Sequence, residues 1–276
     1  MPLRDSPVCW QHPHPHSAPL HERRNGSFYV HLHDGVMRVG ADGGLTVFLA
    51  TQQTHDPRSG VVFAAVIWYI ARLGLPILHS CSLACDDRVA LVLGPSGAGK
   101  STLAAAWVAS GRRIVSDDSV ICMPPRQPGG TWAVQPWRAD LTLRHGTARL
   151  LPEHFQRELR KTGAGGKALL PRLLFPGSFA NRGNVAAVLM LARSPCAAHA
   201  TLTRGTQASA FAAAVAGTGR MAADLPLPNQ PLYHRLQQLV TAMPVFELQV
   251  TTLLLQHPTA EADHVYRLLE SIFASS

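Results

Sequence analysis

The stretch Gly94-Pro95-Ser96-Gly97-Ala98-Gly99-Lys100-Ser101 constrains this chain more than any other. An apolar run, Val89-Ala90-Leu91-Val92-Leu93, leads into it, and the helix-forming Thr102-Leu103-Ala104-Ala105-Ala106-Trp107-Val108 follows. Buried strand, glycine-rich turn and helix form the setting in which a G-x-x-x-x-G-K-[ST] match has physical meaning. Gly94 and Gly99 let successive backbone N–H groups converge where a Cβ would obstruct a phosphate. The helix opening at Lys100 adds unpaired N–H groups and the positive end of its dipole. Lys100 offers a mobile point charge for outer phosphates, and Ser101 an oxygen for Mg²⁺. The loop residues through Thr102 are therefore the candidate nucleotide-binding set. The bland alternative is a glycine-rich helix start that binds no nucleotide. Composition weighs against it: the chain has three lysines against 22 arginines, and a lysine in this slot suggests that a compact ammonium is wanted there.

A second feature contradicts local propensity. The apolar run 114–122 reads as one strand, yet Asp117 and Asp118 interrupt it. Such conflicts mark functional positions. A strand-end carboxylate sixteen to eighteen residues after the loop lysine can hold Mg²⁺, directly or through water. The other can accept a proton from an attacking hydroxyl. A solvated Asp-Asp turn between two shorter strands is the competing reading. His79, within Ile77-Leu78-His79-Ser80 on the preceding strand, reads by itself more readily as a satisfied core histidine than as a catalyst.

The remaining chain falls into ordered pieces. Residues 1–24, rich in Pro and His, read as a disordered tail; its alternating His12, His14 and His16 lack the neighbouring ligands of a metal site. Residues 28–32, 35–39 and 45–49 alternate apolar and polar around hairpin-type turns, a small antiparallel unit. Asp56-Pro57 starts a helix over 61–73 that Gly74 and Pro76 end. Strands are expected over 77–84 and within 131–144, and a helix over 147–160. The glycine-dense loop 162–167 contains Lys167, a candidate phosphate or substrate contact and equally a solvated loop residue. A buried strand follows at 185–191, then helices at 209–216 and 232–242, a strand at 245–250, and an amphipathic helix after Pro258. The organisation expected is a tail (1–24), a small β-rich unit with its helix (25–75), and a larger α/β domain (76–276).

Totals exclude several function classes. The net charge of +8 comes from scattered arginines without a five-residue basic cluster, so phosphate-bearing substrates account for it as well as nucleic acid does, and nucleic-acid binding is not favoured. Five cysteines, odd in number and without zinc spacing, fit a reducing cytoplasm. The first twenty residues lack a signal-peptide core, and the longest apolar run, 61–71, is far short of the ~20 residues of a membrane span. No membrane partner is expected.

His79-Ser80, the P-loop, and Ser110-Gly111-Arg112-Arg113-Ile114-Val115-Ser116-Asp117-Asp118-Ser119-Val120 together resemble the kinase domain of HPr kinase/phosphorylase. The match covers residues 76–122 well, and 184–193 and 244–250 loosely. The small β unit ahead of it resembles shorter HPr-kinase-related proteins found with peptide natural-product genes, including kinases acting on a serine of lasso-peptide precursors. The resemblance implies an α/β P-loop core of the HPr kinase/phosphoenolpyruvate carboxykinase type, with mixed sheets. It implies an ATP- and Mg²⁺-dependent serine kinase acting on a peptide or small protein. It makes Asp117 and Asp118 the metal and base residues without dividing the roles, with Ser101 and Asp117 the candidate Mg²⁺ ligands, and brings His79 and Lys100 into the catalytic set. It leaves a homo-oligomer open. Thr102 stands where the family's enzyme proper has an acidic residue, and the later segment associated with phosphorolysis has no clear copy. Both speak against a reversible reaction on HPr. Two other expectations remain beside the kinase: a nucleotide-binding regulatory module without transferase activity, and a small-molecule kinase.

Overall fold

The computed structural model describes residues 20–24, 26–32, 35–49, 60–138, 140–161, 167–170, 172, 175–194, 197–222 and 229–274. The chain divides into two compact units at Leu73 and Gly74. In the first, β1 (Leu20–Arg24), β2 (Ser27–Leu32), β3 (Gly35–Val39) and β4 (Leu45–Leu49) form an antiparallel sheet in sequence order. Val30 and Met37 oppose each other across β2 and β3, and both are fully buried. Helix α1 (Gly60–Arg72) lays Val61, Ala64, Ala65 and Trp68 on that face, the spacing of one helical stripe. At the β3–β4 turn Gly43 has φ 76° and the Gly44 N–H donates to Asp42 Oδ1 at 2.9 Å. Arg72 donates to the Gly43 carbonyl.

The expected tail ends sooner than residue 24, because 20–24 pairs with β2 along its whole length. Residues 1–19, and the Asp56-Pro57 helix start, lie outside the described residues.

The second unit is a mixed α/β structure. Its strands are β5 (Ile77–Leu78), β6 (Cys81–Cys85), β7 (Arg88–Leu93), β8 (Arg113–Ser116), β9 (Val120–Met123), β10 (Ala133–Pro136), β11 (Leu141–Arg144), β12 (Arg160–Lys161), β13 (Lys167–Leu170), β14 (Gly183–Arg193), β15 (Thr201–Arg204) and β16 (Val245–Val250). Its helices are α2 (Lys100–Ala109), α3 (His145–Ala148), α4 (Glu153–Arg157), α5 (Gln207–Ala222), α6 (Asn229–Ala242), α7 (Leu253–Gln256) and α8 (Pro258–Ala274). Among the described residues a nine-stranded sheet runs β5-β9-β10-β14-β7-β6-β8, with β16 also on β14 and β15 on β16. β7, β14 and β16 run parallel, and the other pairs are antiparallel. A smaller antiparallel sheet runs β11-β13-β12.

From Val89 to Leu93 β7 is apolar because both of its faces are covered. Ala90 and Val92 join a core with α2 and α8, while Val89, Leu91 and Leu93 join another with α5 and α6. Helix α2 buries Leu103 and Trp107 completely, and the Trp107 indole N–H donates to Ala84 O at 3.3 Å. No described helix is long and apolar enough to cross a membrane.

The strand order requires a rolled sheet. β5 to β6 and β8 to β9 are consecutive in the chain, yet each pair stands at opposite ends of the order. In a flat sheet five strand spacings of ~4.8 Å would separate the ends by about 24 Å. Three Cα steps of 3.8 Å, the reach from Leu78 to Cys81, span at most ~11 Å. The two ends must therefore meet, and both chain crossings, at 79–80 and 117–119, lie in the seam. Ser116 Oγ donates to Arg138 O at 2.9 Å across it, and the Trp137 N–H donates to Ser119 O at 3.1 Å, extending the β9–β10 ladder beside it.

These crossings correct two sequence expectations: 77–84 and 114–122 are each two strands rather than one. The helix expected over 147–160 is likewise two short helices, because Pro152 cannot continue a hydrogen-bonded turn. In the glycine-dense segment 162–166 lies outside the described residues, and Lys167 opens β13.

Candidate functional site

At the C-terminal end of β7 the chain turns through Gly94 and Pro95 into α2. Gly97 (φ 83°) and Gly99 (φ 110°) occupy backbone conformations that side chains disfavour. β14 runs on past the end of β7 and backs the loop: a Cβ on Gly94 would stand 3.0 Å from Leu191 O. Gly99 is the N-cap of α2 and supplies no side-chain cap, so the first-turn N–H groups have no side-chain acceptor at that position. Lys100 is buried and its ammonium donates to Gly94 O at 2.7 Å and Pro95 O at 3.2 Å, closing the loop on itself.

The loop faces a cleft of about 240 Å³. Of the loop residues, Ser96, Gly97, Gly99, Lys100, Ser101 and Thr102 line it. Gly94, Pro95 and Ala98 are not among the lining residues and act by shaping the turn. Asp117, Asp118 and His79 line the same cleft, so it contains every residue in the expected catalytic set.

The two aspartates sit in different surroundings. Asp117 is 2% exposed. Its Oδ2 accepts the Thr142 N–H at 3.0 Å, whereas its Oδ1 is buried without a hydrogen-bond partner. Burial, and then the charge of Asp118, push its carboxyl well above the usual range, with the Thr142 hydrogen bond working against them. Burial, and then the Asp117 charge, also push the adjacent Cys81 thiol up. Asp118 is partnered on every side: His79 Nδ1 lies 3.4 Å from Oδ1, Arg138 Nη1 lies 3.7 Å from Oδ2, and Ser119 Oγ donates to Oδ2 at 3.1 Å. Burial alone would raise its carboxyl, but the His79 hydrogen bond and charge, helped by Arg138, hold it below the usual range. The Ser116 hydroxyl accepts the Asp118 and Ser119 N–H groups at 3.3 and 3.1 Å and fixes the bend.

The orphaned Asp117 oxygen and the Ser101 hydroxyl are hard oxygen donors on one cleft, the set that suits Mg²⁺. Among the described residues no cluster of three or more His, Cys, Asp or Glu side chains could hold a metal ion. A cation here would therefore be shared between one or two carboxylates and the phosphates of a ligand, the usual arrangement for Mg²⁺.

Sequence reasoning did not single out Arg138, Arg144, Arg193, Thr142 or Thr147, all of which line the cleft. A usable signal existed for two of them. Arg144 and Arg193 close apolar strands, and ligands of open α/β sheets gather outside the carboxyl ends of strands.

No family model and no curated protein matches the chain. Among solved structures the chain is similar to the HPr(Ser) kinase/phosphatase from Coxiella burnetii, at 13% identity and a TM-score of 0.35, over 70% of this chain and 97% of that one. At that score the likeness carries no argument about function.

Proposed function

We propose that this chain transfers the γ-phosphoryl group of ATP to a serine-type hydroxyl on a peptide or small protein. The observation that carries the reading is the shared cleft. A glycine-rich turn feeding a helix N-terminus, a loop lysine, and a buried carboxylate with an unused oxygen all line it. The sequence resemblance of residues 76–122 points the same way, and 76–276 is the proposed kinase domain.

The N–H groups at the start of α2 and the Lys100 ammonium bind the phosphates. Ser101 and Asp117 hold Mg²⁺, which when bound neutralises charge on the phosphate oxygens. Asp118, kept ionised by His79 and Arg138, accepts the proton of the attacking hydroxyl. His79 shapes the acceptor side. Peptide natural-product maturation, including that of lasso peptides, is the setting the resemblance implies.

The test combines calorimetric titration with Mg·ATP and intact-mass detection of phosphate transfer. Acceptors are a panel of Ser-containing peptides, any short peptide that a reading frame beside the gene is found to encode, and small hydroxyl metabolites. The wild-type chain is expected to phosphorylate a peptide, while folded Lys100→Met and Asp118→Asn variants leave it unmodified. Phosphorylated product from either variant overturns that residue's role. Transfer only to metabolites makes the chain a small-molecule kinase, and binding without transfer makes it a regulatory module.

A further inference from the structure

The geometry points to Arg193 as a second fixed cation on the nucleotide phosphates, outside the loop motif; this rests on the nucleotide reading of the cleft. Arg193 is the last residue of β14, the strand beside β7. The registered pairing of the two strands ends at Met190↔Leu93, so Leu191, Ala192 and Arg193 run on beside the glycine-rich turn. The backbone at this tip is held on its other side by pairing with β16, Arg193↔Val250, and by the Ser194 N–H donating to Val250 O at 2.9 Å. The guanidinium therefore projects from a fixed strand end.

Its position relative to the loop is specific. Arg193 Nε donates to Ala98 O at 3.3 Å, and Nε and Nη2 would stand 3.8 and 3.9 Å from a Cβ on Gly99. The side chain thus lies against the N-cap of α2 and lines the cleft with Lys100 and Ser101. A guanidinium carries five N–H donors in a rigid fork. One meets the Ala98 carbonyl, and the planar head can meet phosphate oxygens with the rest. A lysine would serve both less well, because a point-charge ammonium on a flexible stem does not reproduce the planar fork.

The other two cleft arginines are placed differently. Arg138 faces Asp118 at 3.7 Å, on the carboxylate side. Arg144 ends β11, in the smaller sheet. Arg193 alone of the three hydrogen-bonds the loop among the bonds the structure shows. Its expected role is to bind the phosphates and to offset charge that develops as the γ-phosphoryl group leaves.

The experiment measures Mg·ATP and Mg·triphosphate binding by calorimetry, and phosphate transfer by mass, for the full chain and for Arg193→Ala, Arg193→Lys and Arg182→Ala. Arg182 is exposed and does not line the cleft. Arg193→Ala is expected to weaken both ligands by a similar factor, on the order of ten- to a hundred-fold for a charge-assisted pair. Arg193→Lys should restore only part of this, and Arg182→Ala should bind as the wild type does. Added guanidinium ion, below denaturing concentration, should recover binding by Arg193→Ala, which a merely structural role would not produce. Wild-type binding with unchanged affinity and transfer in both Arg193 variants overturns the assignment and leaves the nucleotide reading standing. A wild-type chain that binds neither ligand overturns both.

Discussion

His79 Nδ1 lies 3.4 Å from Asp118 Oδ1, although 39 positions separate the two residues in the sequence. They meet because each sits in a short chain crossing between the two ends of one rolled sheet.

This contact sets a pH dependence. His79 is the leading influence holding the Asp118 carboxyl below its usual range against the effect of burial. His79→Ala removes it and lets burial dominate, so the carboxyl should titrate at a higher pH. Under the proposed base role the acidic limb of the kcat/KM profile for peptide phosphorylation should move to higher pH. An acidic limb that stays in place in the variant excludes Asp118 as the ionised group.

The adjacent aspartates should affect stability in opposite directions. With its carboxyl raised, Asp117 keeps a proton that the unfolded chain releases near pH ~4. Stability therefore falls as pH rises from about 4 through the raised folded value. Asp118, with its carboxyl lowered, contributes stability that is present above pH ~4 and lost as pH falls through the folded value. At neutral pH without Mg²⁺, thermal melts should show a raised Tm for Asp117→Asn, whose amide oxygen still accepts the Thr142 N–H. Asp118→Asn should lower it. A shift of about 2–4 °C accompanies each kcal/mol in a domain of this size. Shifts of the same sign would contradict these surroundings.

Mg·ATP should raise the wild-type Tm by mass action. Chelating Mg²⁺ with EDTA should remove most of that increment, and Asp117→Asn should lack the Mg²⁺-dependent part. Differential scanning fluorimetry with and without EDTA reads this directly. An undiminished increment in Asp117→Asn removes Asp117 from the metal site.

Gly94→Ala tests the backing of the loop by β14. The new methyl would meet Leu191 O at 3.0 Å, and that carbonyl belongs to a strand held there by its pairing with β16 and one residue earlier by β7. The loop rather than the strand must yield, so Mg·ATP affinity should fall about ten-fold, with a Tm loss reflecting roughly 1–3 kcal/mol of strain. Unchanged affinity would show that the loop tolerates the displacement.

Arg112 offers a test away from the cleft. Its guanidinium lies 4.3 Å from the Tyr266 ring centroid and 5.3 Å from that of Trp107, and Nη1 meets Asp263 Oδ1 at 2.6 Å. Stacking on two rings should outweigh an exposed ion pair. Arg112→Ala should therefore destabilise by about 1–2 kcal/mol in urea, and Asp263→Asn by under ~1 kcal/mol. The reverse order would place the stabilisation in the ion pair.

Local signals made part of this structure legible in the sequence. The hairpins of residues 28–49 show themselves by alternation and turn chemistry, and the glycine-rich turn by residues that only such a backbone needs. The two aspartates were visible because they interrupt a strand pattern. That the strand actually ends there, and that 77–84 breaks at His79-Ser80, follows from closure of the sheet, which pairs residues far apart in the chain. Pro152 did carry a local warning, but the surrounding helix formers in 147–160 masked it. Arg193 was hidden by composition: among so many arginines, one at the end of an apolar strand does not stand out until the fold puts it against Ala98.

The seam has a consequence for how this protein comes apart. The strands that flank His79 and Asp118 form the two margins of the sheet, β5 with β9 at one and β6 with β8 at the other, and the chain crosses between the margins at both residues, so separating these side chains means prying the margins apart. Amide hydrogens around 79–81 and 116–120 should exchange with solvent only through opening of the second unit as a whole, and denaturant should extinguish catalysis and the tertiary structure of that unit at a single midpoint.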